Sequence, residues 1–119
     1  MNSIDDGLRV LITRGFRFQH VKDDRGNVAV IVGSYAWGEF YDRIQITGET
    51  EAIAARAVMD SRCSADGVVW SHEGDTLSAI TALLELPKPD EPGAPRLVRR
   101  APSGLWLPGT DHRPLSLPL

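Results

Sequence analysis

The stretch that decides the fold is residues 16–46, which read FRFQHVKDDRGNVAVIVGSYAWGEFYDRIQI. Polar and apolar side chains alternate over residues 16–21, and this pattern indicates a first β-strand. The DDRGN sequence of residues 23–27 is typical of a tight turn, because Gly and Asn accept positive φ and Asp bonds its own backbone. Residues 28–32 are apolar on both faces, as in a central strand. The stretch therefore begins with a β-hairpin.

A second turn and a third strand continue this pattern. We expect the turn around residues 35–38 and the strand over residues 39–46, in which Phe40, Ile44 and Ile46 share one face. Consecutive strands joined by short turns favour neighbouring positions in one sheet. The sequence therefore predicts a three-strand antiparallel meander.

Helical patterns lie on both sides of the meander. Ser3 has capping-box spacing ahead of a helix over residues 4–14, and Gly15 follows at the position of a left-handed C-terminal cap. A second helix is expected over residues 49–59, because its small apolar residues fall on one helical stripe. Small side chains would let that helix lie close to the sheet.

The last elements before the prolines are a short strand and a helix. Residues 68–70, Val-Val-Trp, predict the strand, while Asp75 caps a helix that ends before Pro87. The predicted order is α-β-β-β-α-β-α. The predicted fold class is α+β, a two-layer sandwich with a mainly antiparallel four-stranded sheet and helices packed on it.

Composition divides the chain at Pro87. All 8 prolines lie in residues 87–119, so this segment is expected to be an extended tail. Residues 1–86 carry 8 Lys and Arg against 13 Asp and Glu, a net charge of −5, whereas residues 87–119 carry 5 against 3, a net charge of +2. We predict a folded domain over residues 1–86 and a tail that docks on its own or a neighbouring chain.

Composition also argues against several classes of function. The net charge of −3 disfavours nucleic acid as a partner, and the longest apolar run is far shorter than the ~18 residues of a membrane helix. One cysteine and an acidic N-terminal segment without a signal-peptide pattern indicate a cytoplasmic location. Neither a metal site nor a cofactor is predicted, because no ligand cluster or nucleotide-binding motif occurs.

One candidate ligand site follows from the predicted strand register. If the first hairpin centres on Arg25 and the next turn on Ala36, then His20, Val30 and Asp42 lie in one row. An imidazole and a carboxylate on a half-buried face can hold a water, a metal or a substrate. The alternative is that both residues lie at solvated strand ends, or that a bulge turns Asp42 outward.

A second candidate combines Cys63 with His72. A thiol becomes nucleophilic when a base or a helix N-terminus stabilises its thiolate, and His72 stands just before a predicted helix. The residues around Cys63 contain no nucleophile motif, and Asp75 is explained by capping alone. The pair is therefore kept as a candidate site of a small enzyme or a ligand-binding protein.

Aromatic residues suggest a surface for a protein partner. Tyr35, Trp37 and Tyr41 cluster around one predicted turn, and such residues often anchor protein interfaces. The alternative is that they form the rim of the hydrophobic core.

The tail contains a second apolar candidate, Leu105-Trp106-Leu107 between two prolines. A bulky apolar triplet is unusual in a solvated segment, so we expect Trp106 to be buried. Its contact is the chain's own domain, the same domain in a second chain as in a homodimer, or another protein. A disordered extension is the alternative.

The pattern formed by residues 16–21, 25–31, 67–70 and 83–87 resembles that of small hypothetical α+β proteins of actinobacteria. The resemblance covers about residues 16–87, and it implies a fold but no activity. The sequence thus favours a non-enzymatic protein-interaction or regulatory module that self-associates or docks a partner through its tail. The alternative is a small enzyme or ligand-binding protein that uses His20 and Asp42, or the Cys63–His72 region.

Overall fold

The computed structural model describes residues 3–58 and 67–105 of the chain. The described helices and strands are, in chain order, α1 (Ile4–Thr13), β1 (Arg17–Lys22), β2 (Val28–Ala36), β3 (Phe40–Gly48), β4 (Glu51–Val58), β5 (Gly67–Gly74), α2 (Thr76–Glu85) and β6 (Arg99–Arg100). These strands form one antiparallel sheet in the order β1-β2-β3-β4-β5-β6. Among the described residues, no helix is long and apolar enough to cross a bilayer.

The predicted four-stranded sheet and the predicted helix over residues 49–59 are wrong. Residues 51–58 form β4, and the described residues contribute six strands to the sheet. The order of the described elements along the chain is α-β-β-β-β-β-α-β. β4 alternates between the two faces of the sheet, with Ala52 and Ala54 on one side and Ala55 and Ala57 on the other, all buried. Alanine favours helices intrinsically, but here its small side chain suits a central strand that is covered on both faces.

The described helices, α1 and α2, cover one face of the sheet, which we call the helix face. Ser3 caps α1 and Asp75 caps α2, each through a side-chain oxygen that accepts a backbone N–H of the first turn. The core beneath them is apolar and fully buried at its centre, where Leu11, Ile44 and Ile80 are 0% exposed. The helices therefore hold their places mainly by burying apolar surface against the middle strands.

The opposite face, which we call the tail face, is covered by residues that follow the second helix. Residues 99–100 pair as β6 with residues 67–68 at the start of β5. The chain then crosses the sheet, where the Gln45 amide donates a hydrogen bond of 2.8 Å to the carbonyl of Gly104. Leu105 is 2% exposed and packs in a cluster with Tyr41, Ala55, Ala57 and Val68. Residues 101–105 thus form part of the fold.

Gly33 in β2 allows the packing on the helix face to be tested by mutation. Gly33 lies opposite Phe18 in the β1–β2 register, and a Cβ on Gly33 would overlap the Phe18 ring. We expect Gly33→Val to lower the free energy of unfolding by about 1–3 kcal/mol through overpacking. Urea denaturation measures this change. Gly48→Val is the matched control, because a Cβ there meets nothing within 4 Å, and equal effects of both variants would contradict the assignment.

Candidate functional site

An open cleft of about 940 Å³ lies where the C-terminal ends of α1 and α2 meet the sheet. Its floor is formed by Tyr35, Asp42 and Arg56 near the adjoining ends of β2, β3 and β4, and by Trp37 in the turn between β2 and β3. Its outer wall is the segment between residues 83 and 92. We call this site the aromatic cleft.

A buried ion pair forms the deepest part of the cleft. Asp42 and Arg56 are direct partners in the β3–β4 register, and both side chains lie on the helix face. The Arg56 guanidinium donates from Nε to Oδ1 of Asp42 at 2.6 Å and from Nη2 to Oδ2 at 3.0 Å. The residues are 1% and 3% exposed, respectively, so this bidentate pair is shielded from water and salt.

Trp37 contacts the ion pair and is the first of three aromatic rings that lie in a row. Its indole Nε1 donates a 2.8 Å hydrogen bond to Oδ2 of Asp42, and its ring centroid is 5.9 Å from Cζ of Arg56. Tyr35 packs edge-on against Trp37 at a centroid distance of 4.8 Å, and Phe16 follows 5.6 Å from Tyr35. Asp42 therefore fixes the orientation of a half-buried Trp at the cleft floor.

Backbone carbonyls fasten the outer wall to the floor. Arg56 Nη1 donates a 2.7 Å hydrogen bond to the carbonyl of Pro87, and Arg14 Nη1 donates one of 3.1 Å to the carbonyl of Leu84. A turn follows in which Glu91 accepts the backbone N–H of Lys88 through Oε1 at 2.8 Å. One guanidinium, that of Arg56, thus connects the floor with the point where the chain leaves α2.

The chemistry of this arrangement favours binding over proton transfer. Both carboxylate oxygens of Asp42 accept N–H groups, from Arg56 and Trp37, so this carboxylate is committed to holding the floor in place. The rim carries two cations, Arg14 and Lys88, and two anions, Glu85 and Glu91. The cleft therefore offers a rigid aromatic and apolar surface with balanced charge.

The structure does not bring His20 and Asp42 together. His20 lies opposite Ile31, which lies opposite Ile46. Asp42 lies four residues before Ile46 on β3, so it is displaced from the row of His20 by about 13 Å along the strand. The predicted turn at Ala36 is displaced, because β2 continues to Ala36 and the chain reverses at residues 37–39 with Gly38 at φ +91°. His20 is exposed on the edge strand.

Of the predicted pair Cys63 and His72, the structure describes only His72, because Cys63 lies outside the described residues. His72 is half-buried, and its Nε2 lies 3.2 Å from the hydroxyl of Ser78 in the first turn of α2. Within residues 3–58 and 67–105, no group of three or more His, Cys, Asp or Glu side chains is placed to hold a metal ion.

The aromatic residues predicted to bind a partner fall on opposite faces of the sheet. Tyr35 and Trp37 lie in the aromatic cleft, whereas Tyr41 is 8% exposed and packs with Leu105 on the tail face. Burial raises the pKa of the Tyr41 phenol, an effect that nearby Arg43 opposes. Tyr41 is therefore a core residue. Trp106 and Leu107 lie outside the described residues, so the predicted burial of Trp106 stays a prediction.

Sequence reasoning missed Arg56, the central residue of the cleft. Its placement in a predicted helix separated it from Asp42, although the two residues are strand partners. One signal was available, because Arg56 is the only charged residue in the apolar run of residues 52–59, AIAARAVM. An arginine in such a run needs a buried acceptor or an exposed position.

Comparison with protein-family models, curated proteins and solved structures finds no match to this chain. Its functional interpretation therefore depends on the geometry of the cleft.

Proposed function

We propose that this protein is a non-enzymatic protein-interaction module that binds a polypeptide segment of a partner in the aromatic cleft. The observation that carries the proposal is the Trp37 ring, held at the floor of an open cleft by Asp42 and Arg56. The partner is another protein or a second copy of this chain.

Three properties of the cleft support a polypeptide ligand. Trp and Tyr are the side chains that most often anchor protein interfaces, and here they stand side by side. The hydrogen bond from Trp37 to Asp42 fixes the ring before binding, which lowers the entropy lost when a ligand is ordered. Apolar walls and balanced rim charges suit a peptide better than an anion such as a nucleic acid.

The alternative function, catalysis or small-ligand binding, has weaker support. His20 and Asp42 lie in different rows, and Asp42 is engaged by Arg56 and Trp37. His72 faces Ser78, and its predicted partner Cys63 lies outside the described residues.

We also propose a cytoplasmic location. The chain has a single cysteine, so it can form no intrachain disulfide that would require an oxidising compartment.

A displayed random-peptide library tests the proposal with the full chain as bait. Peptides selected by the wild-type protein are resynthesised with a fluorescent label, and their affinities are measured by anisotropy. Pro92 is exposed and lines the cleft, so Pro92→Trp is expected to fill the mouth and weaken binding at least tenfold.

The matched control is Asp90→Trp, which places the same side chain in the same segment at an exposed position outside the cleft lining. It is expected to bind the selected peptides like the wild-type protein. Selection of no peptides, or equal binding by the wild-type protein and Pro92→Trp, would overturn the proposed function. Equal denaturation midpoints of the two variants exclude unfolding as the cause.

A further inference from the structure

The described part of the chain ends directly behind the aromatic cleft. Leu105 belongs to a buried cluster on the tail face that includes Tyr41 of β3 and Ala57 of β4. Their neighbours Asp42 and Arg56 point to the helix face and form the cleft floor. Because successive side chains of a strand alternate between faces, only the thickness of the sheet separates Leu105 from the cleft.

The remaining chain is long enough to reach the cleft around the end of the sheet. β3 begins at Phe40 and β4 ends at Val58, so the sheet edge lies within two residues of this position. A path from Leu105 around that edge to the cleft is about 25 Å long. It consists of two short runs along the strands, one on each face, and one crossing of ~10 Å from the tail face to the helix face. The nine residues from 106 to 114 span about 30 Å when extended. Residues 114–119 can therefore reach the cleft of their own chain.

The chemistry of residues 114–119 matches the cleft. They read PLSLPL, an uncharged segment of leucine and proline. The cleft offers Leu84, Leu86, Pro87 and Pro92 beside its aromatic row, and its charged groups balance one another. Proline-rich segments lose little conformational entropy on binding and dock on aromatic-lined grooves.

We infer that residues 114–119 occupy the aromatic cleft of the same chain, and that a partner displaces them with an uncharged segment rich in leucine and proline. This inference rests on the proposed function and names the chemical class of its ligand. Tethering favours the same chain over a second copy, because a short tether gives an effective concentration of about 1 mM. With an intrinsic Kd of about 0.1 mM, such a tethered segment weakens binding of a competing peptide about tenfold.

The test measures binding of a labelled, capped PLSLPL peptide to full-length chains by anisotropy. The double variant Leu115→Asp/Leu117→Asp is expected to release the cleft and bind the peptide about tenfold more tightly than the wild-type protein. The matched control Thr110→Asp/His112→Asp carries two charges in the preceding segment and is expected to bind like the wild-type protein. Adding Pro92→Trp to the leucine variant is expected to abolish the gain.

Each other outcome overturns the inference. Equal binding by the wild-type protein and the leucine variant would show that the cleft is not occupied by this segment, and absence of binding by both would show that the ligand class is wrong. A wild-type dimer that the leucine variant converts to a monomer, measured by light scattering, would assign the segment to a second copy. Continued binding of library-selected peptides in the cleft would leave the proposed function standing in all three cases.

Discussion

Replacing Arg56 with methionine is expected to lower the free energy of unfolding by about 3–5 kcal/mol, as removal of one partner from a buried ion pair does. The substitution removes three hydrogen bonds that Arg56 donates, two to the Asp42 carboxylate and one to the carbonyl of Pro87. Asp42, only 3% exposed, is left as an uncompensated charge in the core. Guanidinium chloride denaturation, followed by circular dichroism, measures the change.

Two further variants show whether the loss of stability comes from the buried ion pair. Arg17→Met removes an exposed arginine from β1 and is expected to change stability by at most about 0.5 kcal/mol. The double variant Asp42→Leu/Arg56→Met removes both charges and is expected to recover a large part of the loss, because apolar pairs often replace buried ion pairs without penalty. A loss below about 1 kcal/mol for Arg56→Met alone would show that water reaches the pair.

Leu105→Ala is expected to lower the free energy of unfolding by about 2–5 kcal/mol, which is the range for buried leucines. Leu105 is 2% exposed, although it belongs to the segment that the sequence assigns to a proline-rich tail. Its removal opens a cavity against Tyr41 and Val68 on the tail face. Urea denaturation of the full chain measures the effect.

Leu97→Ala is the matched control, because the same change is made eight residues earlier at a side chain that is 77% exposed. It is expected to alter stability by no more than about 0.5 kcal/mol. Equal, small effects of both variants would contradict the packing of residues 101–105 on the sheet. A large effect of Leu105→Ala beside a small effect of Leu97→Ala would show that Leu105 stabilises the fold. Leu105 would then not be free to bind a partner, and the aromatic cleft would remain the proposed binding site.

Elements with local signals were predicted correctly from the sequence. The helix expected over residues 4–14 is α1, and the helix expected after Asp75 is α2, each with the predicted cap. The turn over residues 23–27 is also confirmed, with Asp23 Oδ1 accepting the backbone N–H of Arg25 and Asn27. Caps and tight turns depend on hydrogen bonds within a few residues, so the responsible side chains are visible in the sequence.

The prediction failed where burial from distant parts of the chain decides the conformation. Residues 51–58 have the apolar spacing of a helix, and they become a strand because α2 covers one face and residues 101–105 cover the other. The displaced second turn had a similar cause, since Tyr35 continues β2 when it packs against Phe16 and Trp37. Long-range packing overrides weak local propensity in both places.

The sequence by itself determined two capped helices, a strand meander and a change of composition at Pro87, because each depends on neighbouring residues. Only the tertiary structure decided that β4 is a strand, that Asp42 meets Arg56 rather than His20, and that Leu105 closes the tail face. The physical reason is register. A buried charge pair and a covered sheet face require strands to align across many residues, and that alignment follows from the packing of the whole chain.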